Sequence, residues 1–245
     1  MKQYEAVIQT LEQLGGVATL GQLYKNVFKI ADCKWNTKTP FATIRRIVQT
    51  RKEIFKIKPG LYGLVSKRSE LEAKGIIAET KTNQDSPEVQ NFGHAYYQGL
   101  LLIMGRLKKY DSWLPDQDKN KMFLDCSLDS LRTFKKIPPF SYPHLVNRSA
   151  TIDVIWFNER GMPSSFFEVE NCSDFQNSLL KFNDLQDFAA RMVIVSSPAR
   201  RKEFESKLKY SSFRDISKRV CFLGFDSLVE QYQRTVIISK QEVVL

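Results

Sequence analysis

Histidine is scarce in this sequence: the 245 residues contain only His94 and His144. A histidine-rich zinc site, an HExxH metalloprotease and a His-metal nuclease of the HNH type all need more imidazoles than this. We therefore expect any catalysis to rest on carboxylates, lysines and a bound metal ion.

Cysteine clusters and long apolar runs are missing too. The four cysteines form no CxxC pair and have no histidine nearby, which predicts free, mostly buried thiols in a reducing compartment. The most apolar stretch, residues 96–104, is far shorter than the roughly 18 apolar residues of a membrane span. The N-terminus enters an amphipathic pattern without a signal-peptide core. We expect a cytoplasmic protein with no membrane partner.

Positive charge is abundant and is concentrated near the start of the chain. The whole chain carries +10, and residues 1–65 hold 11 Lys/Arg against 4 Asp/Glu, a balance of +7. Such a concentrated field indicates a polyanion binder, with a merely solubilising surface as the alternative.

Residues 1–65 show the pattern of three short helices. Apolar side chains recur at three- and four-residue steps from Tyr4 to Leu14, and a glycine pair then ends the predicted helix. Thr19 is placed to cap a second helix. A threonine–proline pair starts a third, which we expect over residues 39–50.

The third helix has an exposed face of Arg, Gln and Thr. Such a face suits a DNA major groove, because Arg reads guanine edges and Gln reads adenine. Two strand-like runs, 54–57 and 61–64, follow around residues 58–60 and predict a hairpin with a basic tip, or wing. The predicted DNA contacts are Thr43, Arg45, Arg46, Gln49, Arg51, Lys52 and Lys58.

Three helices followed by a hairpin resemble the winged helix-turn-helix family. The runs P-F-A-T-I-R-R at 40–46 and P-G-L-Y-G-L at 59–64 resemble the HARE-HTH variety, which occurs fused to DNA-modifying enzymes and chromatin proteins. The resemblance implies double-stranded DNA as a partner. A winged helix used for protein contacts is the alternative. We expect this domain over residues 1–65 and a polar linker over 66–90.

A second domain is expected over residues 91–245, where strand and helix patterns alternate. The predicted strands are 151–157, 165–170, 192–196 and 220–223, and the predicted helices are 94–109, 173–190, 198–209 and 227–234. The predicted fold class is α/β overall: a small α+β winged helix followed by a mixed-sheet α/β domain.

Three acidic residues lie inside or at the end of otherwise apolar strands: Asp153, Glu168 and Glu170. Burying a carboxylate is costly unless a cation or hydrogen-bond donors compensate it. Glu168 and Glu170 are two apart and share a strand face, and Asp153 lies on the preceding strand of a predicted hairpin. Three converging carboxylates suit Mg²⁺ or Mn²⁺. Alternatively, the acids face solvent or hold nearby arginines.

This arrangement resembles the PD-(D/E)xK nuclease superfamily. Ile152-Asp153 matches the first motif element and E-V-E at 168–170 matches the second, with Glu170 where Lys is usual, as in some restriction endonucleases. The wider string F-E-V-E-N, then L-L-K at 179–181, resembles restriction-endonuclease-like proteins with a basic residue on the following helix. Lys181 stands at that position.

The resemblance implies a Mg²⁺-dependent DNA endonuclease, with Mn²⁺ as a substitute, in a mixed-sheet restriction-endonuclease-like fold. The implied metal ligands are Asp153, Glu168 and Glu170. Lys181 would orient the nucleophile or neutralise the phosphate. Gln98, on the first helix of the domain, either reaches the same site or packs between helices. Arg200 and Arg201 are expected phosphate contacts, or else part of a solvated basic helix face.

Two other functions remain open from the sequence. One is a DNA-binding regulator whose nuclease-like domain is inactive and serves for dimerisation, which the glutamate at the usual lysine position favours. The other is an enzyme acting on RNA or on a nucleic-acid end. For the endonuclease we expect a homodimer, because cutting both strands commonly needs two active sites.

Overall fold

The computed structural model describes residues 1–172 and 174–242, with side chains up to residue 239. The chain divides into two compact units. Unit 1 consists of Met1–Phe92 and Val229–Leu245, and unit 2 consists of Gly93–Leu228. The predicted division at residues 65 and 91 differs from these units, because segment 66–90 and most of the C-terminal helix group with the N-terminal residues.

The helices and strands are numbered in chain order. The helices are α1 (Gln3–Gln13), α2 (Leu20–Asn26), α3 (Pro40–Thr50), α4 (Arg68–Ala73), α5 (Pro87–Leu107), α6 (Leu128–Leu131), α7 (Pro143–Ser149), α8 (Phe175–Asp184), α9 (Arg201–Leu208) and α10 (Phe225–Glu242). The strands are β1 (Val17–Thr19), β2 (Ile54–Lys58), β3 (Leu61–Leu64), β4 (Asp111–Trp113), β5 (Met122–Phe123), β6 (Cys126–Ser127), β7 (Val154–Phe157), β8 (Pro163–Glu170), β9 (Arg191–Ser196) and β10 (Val220–Gly224).

Unit 1 contains the three helices and the hairpin predicted for residues 1–65. Thr19 caps α2 as expected: its hydroxyl accepts from the Gln22 N–H at 3.1 Å, and the Gln22 side chain accepts from the Thr19 N–H at 2.8 Å. Pro40 is the first residue of α3, although the Thr39 side chain makes no capping hydrogen bond. β1, β3 and β2 form an antiparallel sheet with β3 in the centre.

The tip of the hairpin, residues 58–60, is packed rather than projecting. Gly60 has a φ of +71°, and a Cβ at this position would overlap the Val229 side chain of α10. Further along α10, the Tyr232 hydroxyl lies 3.1 Å from the Thr19 hydroxyl. The helix therefore covers the tip and completes the core of unit 1.

Unit 2 is built on a five-stranded mixed sheet with the order β10-β9-β8-β7-β4. β10, β9 and β8 are parallel, whereas β7 is antiparallel to both β8 and β4. The predicted α/β class with a mixed sheet is confirmed.

The two faces of this sheet receive different helices. The Trp156 indole donates to the Leu101 carbonyl of α5 at 3.0 Å, so that face of β7 packs on α5. The alternate residue Phe157 joins the cluster that contains Phe175 and Phe182 of α8. Strand alternation thus decides which side chains of β7 and β8 meet α5 and which meet α8.

Some predicted bounds change for local reasons. The helix predicted at 173–190 begins at Phe175, because the Asp174 carboxylate caps it by accepting from the Gln176 N–H at 3.0 Å. Ser173 lies outside the described residues. The strand predicted at 151–157 begins at Val154, so Asp153 lies just before it. The last helix extends to Glu242 rather than Arg234.

Two expectations from the composition concern the cysteines and membrane-spanning helices. All four cysteines are free thiols, but Cys33 alone is buried, Cys126 is half-buried, and Cys172 and Cys221 are exposed, so the expectation that most are buried was wrong. None of the helices in the described ranges combines the length and apolar character required to cross a membrane.

Because the hairpin tip is packed, replacing Gly60 by alanine should destabilise the protein more than replacing Gly75, although the two glycines have similar backbone conformations. Gly60→Ala should lower the free energy of unfolding by at least about 2 kcal/mol, through a left-handed φ and overlap with Val229. Gly75→Ala, at φ +78° with open space around it, should cost only about 1 kcal/mol. Urea unfolding measures both. Equal losses would show that α10 does not constrain the tip.

Candidate active site

β8 carries the two glutamates of the candidate site. Glu168 and Glu170 are both buried and alternate with Phe167 and Val169. Since Phe166, on the same face, belongs to the cluster under α8, strand alternation aims both glutamates at that helix. This is the face that meets Ser178 and Lys181.

Lys181 and Ser178 surround the Glu168 carboxylate. The Lys181 ammonium donates to both Glu168 oxygens, at 2.8 Å and 3.1 Å, and to the Thr151 carbonyl at 2.8 Å. The Ser178 hydroxyl donates to Glu168 Oε2 at 2.9 Å and also contacts Glu170 Oε1. Because Ser178 and Lys181 are three residues apart, one face of α8 supplies both groups.

Asp153 adjoins Glu168 from the turn before β7. Its backbone N–H donates to Glu168 Oε1 at 3.3 Å. Its own Oδ2 accepts from the Val169 N–H at 2.7 Å and lies 3.2 Å from His94 Nε2. The structure therefore brings Asp153, Glu168 and Lys181 together, as the resemblance implied.

The neighbouring carboxylates have oppositely shifted pKa values. Burial, reinforced by the charge of Asp153, raises the pKa of Glu168 to about 8, although Lys181 and Ser178 oppose this. Burial also disfavours ionised Asp153, but the His94 hydrogen bond and charge, with the Val169 N–H, bring its pKa below the ordinary value. Burial lowers the pKa of His94, but Asp153 outweighs it and leaves a net rise. Asp153 is therefore the more readily ionised carboxyl group.

Gln98 lies beside this group but does not touch a site carboxylate. This completely buried side chain donates to Asp118 Oδ2 at 2.8 Å and lies 3.5 Å from the backbone carbonyl of Asp153. Its own Oε1 is buried with no hydrogen-bond partner in the described part of the chain. Asp118 in turn pairs with Lys121 at 2.7 Å.

The three acids are not arranged as a ready metal cage. Among the side chains of residues 1–172 and 174–239, no group of three His, Cys, Asp or Glu is placed to hold a metal ion. The carboxylate of Glu168 is turned toward Lys181 and Ser178, and Glu170 is linked to it through the same hydroxyl. The predicted three-ligand set thus stays a prediction. The donor chemistry, two adjoining buried carboxyl groups, does fit a hard divalent cation.

The predicted DNA contacts of α3 occupy several environments. Arg46, Gln49 and the following Lys52 are exposed, and Thr43 is half-buried. The other two arginines have partners within unit 1. Arg45 is exposed and donates to the Gln233 side-chain oxygen at 3.0 Å, whereas Arg51 lies over the Tyr4 ring with its guanidinium carbon 3.5 Å from the centroid.

Lys58 does not form the exposed basic tip that the sequence predicted. It is only 4% exposed and forms an ion pair with Glu79, from the segment expected to be a linker. The ladder of β2 and β3 shifts register between Lys56 and Lys58, so Lys58 does not continue the exposed face of Lys56. A lysine buried and paired in this way is not available to a phosphate.

Arg200 and Arg201 also differ from each other. Arg200 pairs with Glu203 at 2.9 Å and lies over the Phe175 ring, so most of its side chain is covered. Arg201 is exposed, with its guanidinium over Phe222 and a long 3.9 Å contact to Glu205. Of this pair, Arg201 is the better placed to meet a ligand from solvent.

Sequence reasoning missed His94, Ser178 and Asp118. Counting histidines excluded histidine-rich sites but said nothing about one histidine at one acid. The spacing of His94 and Gln98, one helical turn apart, places them on the same face of α5 and was the available signal. Ser178 has the corresponding relation to Lys181. No spacing pattern points to Asp118, which lies in a loop.

One comparison with known proteins gives a match. The family model described as type II restriction enzyme NmeDI C-terminal domain matches residues 76–243, more than half of the chain and all of the candidate site. No curated protein and no solved structure matches the chain.

The Glu168–Lys181 contact should appear as a coupling energy for folding. Lys181→Met leaves a buried acid without its cation, and Glu168→Gln leaves the ammonium without its acid, so each should destabilise the protein alone. The double variant should lose about 1–3 kcal/mol less free energy of unfolding than the two single variants lose together. Urea unfolding of the four proteins gives this number. Additive losses would mean that the contact contributes nothing.

Proposed function

The chain belongs to the family of the type II restriction enzyme NmeDI C-terminal domain, and on that premise we propose that it is a metal-dependent DNA endonuclease. The observation that carries the proposal is the meeting of Asp153, Glu168 and Lys181 at one edge of the sheet. Two acids and a lysine are the side chains needed to hold a cation and to approach a phosphate. The substrate would be double-stranded DNA and the reaction phosphodiester hydrolysis.

Mg²⁺, with Mn²⁺ as a substitute, is the cation that these side chains would hold. Asp153 and Glu168 would be its main ligands, with Glu170 adding negative charge beside them. When bound, the ion would acidify a water molecule and offset the charge that develops on the phosphate. Burial, and after it the charge of Asp153, raises the pKa of Glu168 to about 8, and a cation bound beside both carboxylates would favour the ionised form of Glu168.

Lys181 would take over, from the helix, the role of the lysine that the motif usually carries on the strand. Its ammonium is fixed by three acceptor oxygens, two from Glu168 and one from Thr151, while 14% of the side chain stays exposed. A fixed cation at the border between protein and solvent can contact a phosphate oxygen or orient a water molecule. Glu170 would then not need to be a lysine.

DNA binding by unit 1 is the second part of the proposal. Arg46, Gln49 and Lys52 present an exposed basic and hydrogen-bonding surface on and after α3. Arg45 would exchange its Gln233 partner for a base or phosphate. The winged helix would contribute to target binding, and a homodimer would bring two active sites to the two strands.

A DNA-binding regulator with an inactive nuclease-like domain is the second candidate. One observation favours it: Glu168 is held by Lys181 and Ser178, and the three acids form no ready metal cage among the described side chains. Such a protein would bind DNA through unit 1 and leave it uncut.

Cleavage assays separate these candidates. Plasmid and phage DNA should be cut to discrete fragments with Mg²⁺ but not with EDTA. Asp153→Asn and Glu168→Gln should lower the rate roughly 100-fold or more, because each removes a charged ligand. The exposed Glu159→Gln should cut like the wild type. DNA that shifts in a gel yet stays intact with Mg²⁺ would support the regulator.

Salt dependence tests the DNA surface of unit 1. Arg46→Ala and Lys52→Ala should each weaken DNA binding and reduce the slope of log K against log salt by about 1, since each removes one phosphate contact. Lys74→Ala removes an exposed lysine outside this surface and should leave the slope unchanged. Fluorescence anisotropy at several NaCl concentrations measures it. The surface is misassigned if all three variants behave alike.

A further inference from the structure

His94 contacts the Asp153 carboxylate but has no role in the proposed reaction. It lies on α5 with 22% of its side chain exposed, and its Nε2 is 3.2 Å from Asp153 Oδ2. The same oxygen accepts the Val169 N–H at 2.7 Å. Two donors from different elements, a helix and a strand, therefore converge on one carboxylate oxygen.

This convergence makes the two oxygens of Asp153 unequal. Oδ2 has two donors, whereas Oδ1 accepts no hydrogen bond from the side chains and backbone described by the structure. The terminal torsion of aspartate is soft, so one donor alone would restrain the carboxylate weakly. Held at Oδ2 from two directions, the group keeps Oδ1 available for another partner.

α5 also approaches the main chain of the same residue. Gln98, one turn after His94, lies 3.5 Å from the Asp153 carbonyl and is itself anchored by a 2.8 Å hydrogen bond to Asp118. Asp153 precedes β7 and lacks the support of the strand ladder. α5 thus adds to the restraint that β8 gives Asp153 through Glu168 and Val169.

We propose that His94 is a positioning residue that fixes the Asp153 carboxylate so that Oδ1 faces the divalent cation. The inference rests on the proposed function and deepens it. Positioning fits better than proton transfer, because Nε2 faces Asp153 and Nδ1 is buried with no hydrogen-bond partner among the described residues. Neither ring nitrogen is free to exchange a proton with a substrate. Such supporting contacts commonly change metal affinity by about 10–100-fold.

The test compares His94→Leu, which removes the donor, with His94→Gln, whose amide nitrogen can restore a donor near the Nε2 position. His144, exposed and the only other histidine in the sequence, gives the matched control His144→Leu. Titration calorimetry with Mg²⁺ on the full chain should show roughly 10–100-fold weaker binding for His94→Leu, with most of it recovered in His94→Gln. His144→Leu should bind like the wild type.

A metal-free measurement makes the outcome independent of the proposed function. The Val169 amide should exchange its hydrogen roughly 10-fold faster in His94→Leu, because a freer carboxylate protects it less, and His94→Gln should restore protection. Unchanged exchange in His94→Leu, or loss of protection without recovery in His94→Gln, would overturn the positioning role. If wild-type protein neither binds Mg²⁺ nor cuts DNA, the proposed function fails, while the exchange result still decides whether His94 holds Asp153.

Discussion

The burial of Glu168 beside Asp153 is the constraint on which unit 2 depends. A carboxylate in this apolar strand destabilises the fold unless donors reach it. α8 supplies them, because Ser178 and Lys181 lie three residues apart on one helix face and both contact Glu168. The start of α8 is in turn fixed by its Asp174 cap. Strand alternation, helix periodicity and a single N-cap therefore have to agree for this acid to be tolerated.

Much of this arrangement could be predicted from periodicity. The alternation in β8 and the spacing on α8 are local, so the sequence already indicated that Glu168 and Lys181 belong to neighbouring elements. The details that failed depend on distant partners. Lys58 faces inward because a bulge interrupts β2 and because Glu79, beyond the hairpin, pairs with it. His94 was not predicted as a site residue because the argument counted histidines. A low count does not exclude a single imidazole that contacts Asp153.

In unit 1 as well, local sequence signals do not predict contacts with partners that are distant along the chain. Its three helices and hairpin follow from signals within residues 1–65, but the helix that covers the hairpin tip begins more than 150 residues later, at Phe225. Val229 fills the space beside Gly60, and the Gln233 side-chain oxygen accepts a hydrogen bond from Arg45. A hairpin packed in this way supports its unit more than it probes a groove. On the proposed function, the exposed side of α3, at Arg46 and Gln49, would therefore be the main DNA-contacting surface of unit 1.

The charged groups around the site bear on why position 170 can carry glutamate where the motif usually has lysine. Asp153, Glu168 and Glu170 lie near Lys181 and His94 in a region where solvent is largely excluded, and the Arg200 guanidinium lies 3.5 Å from the Glu170 backbone carbonyl. Lys181 reaches Glu168 from the helix, so the strand does not need to provide a second cation. A lysine at position 170 would replace one of the three acids by a further cation. On the proposed function, glutamate there would add negative charge for a divalent cation, and Lys181 on α8 would keep a fixed positive charge for the phosphate.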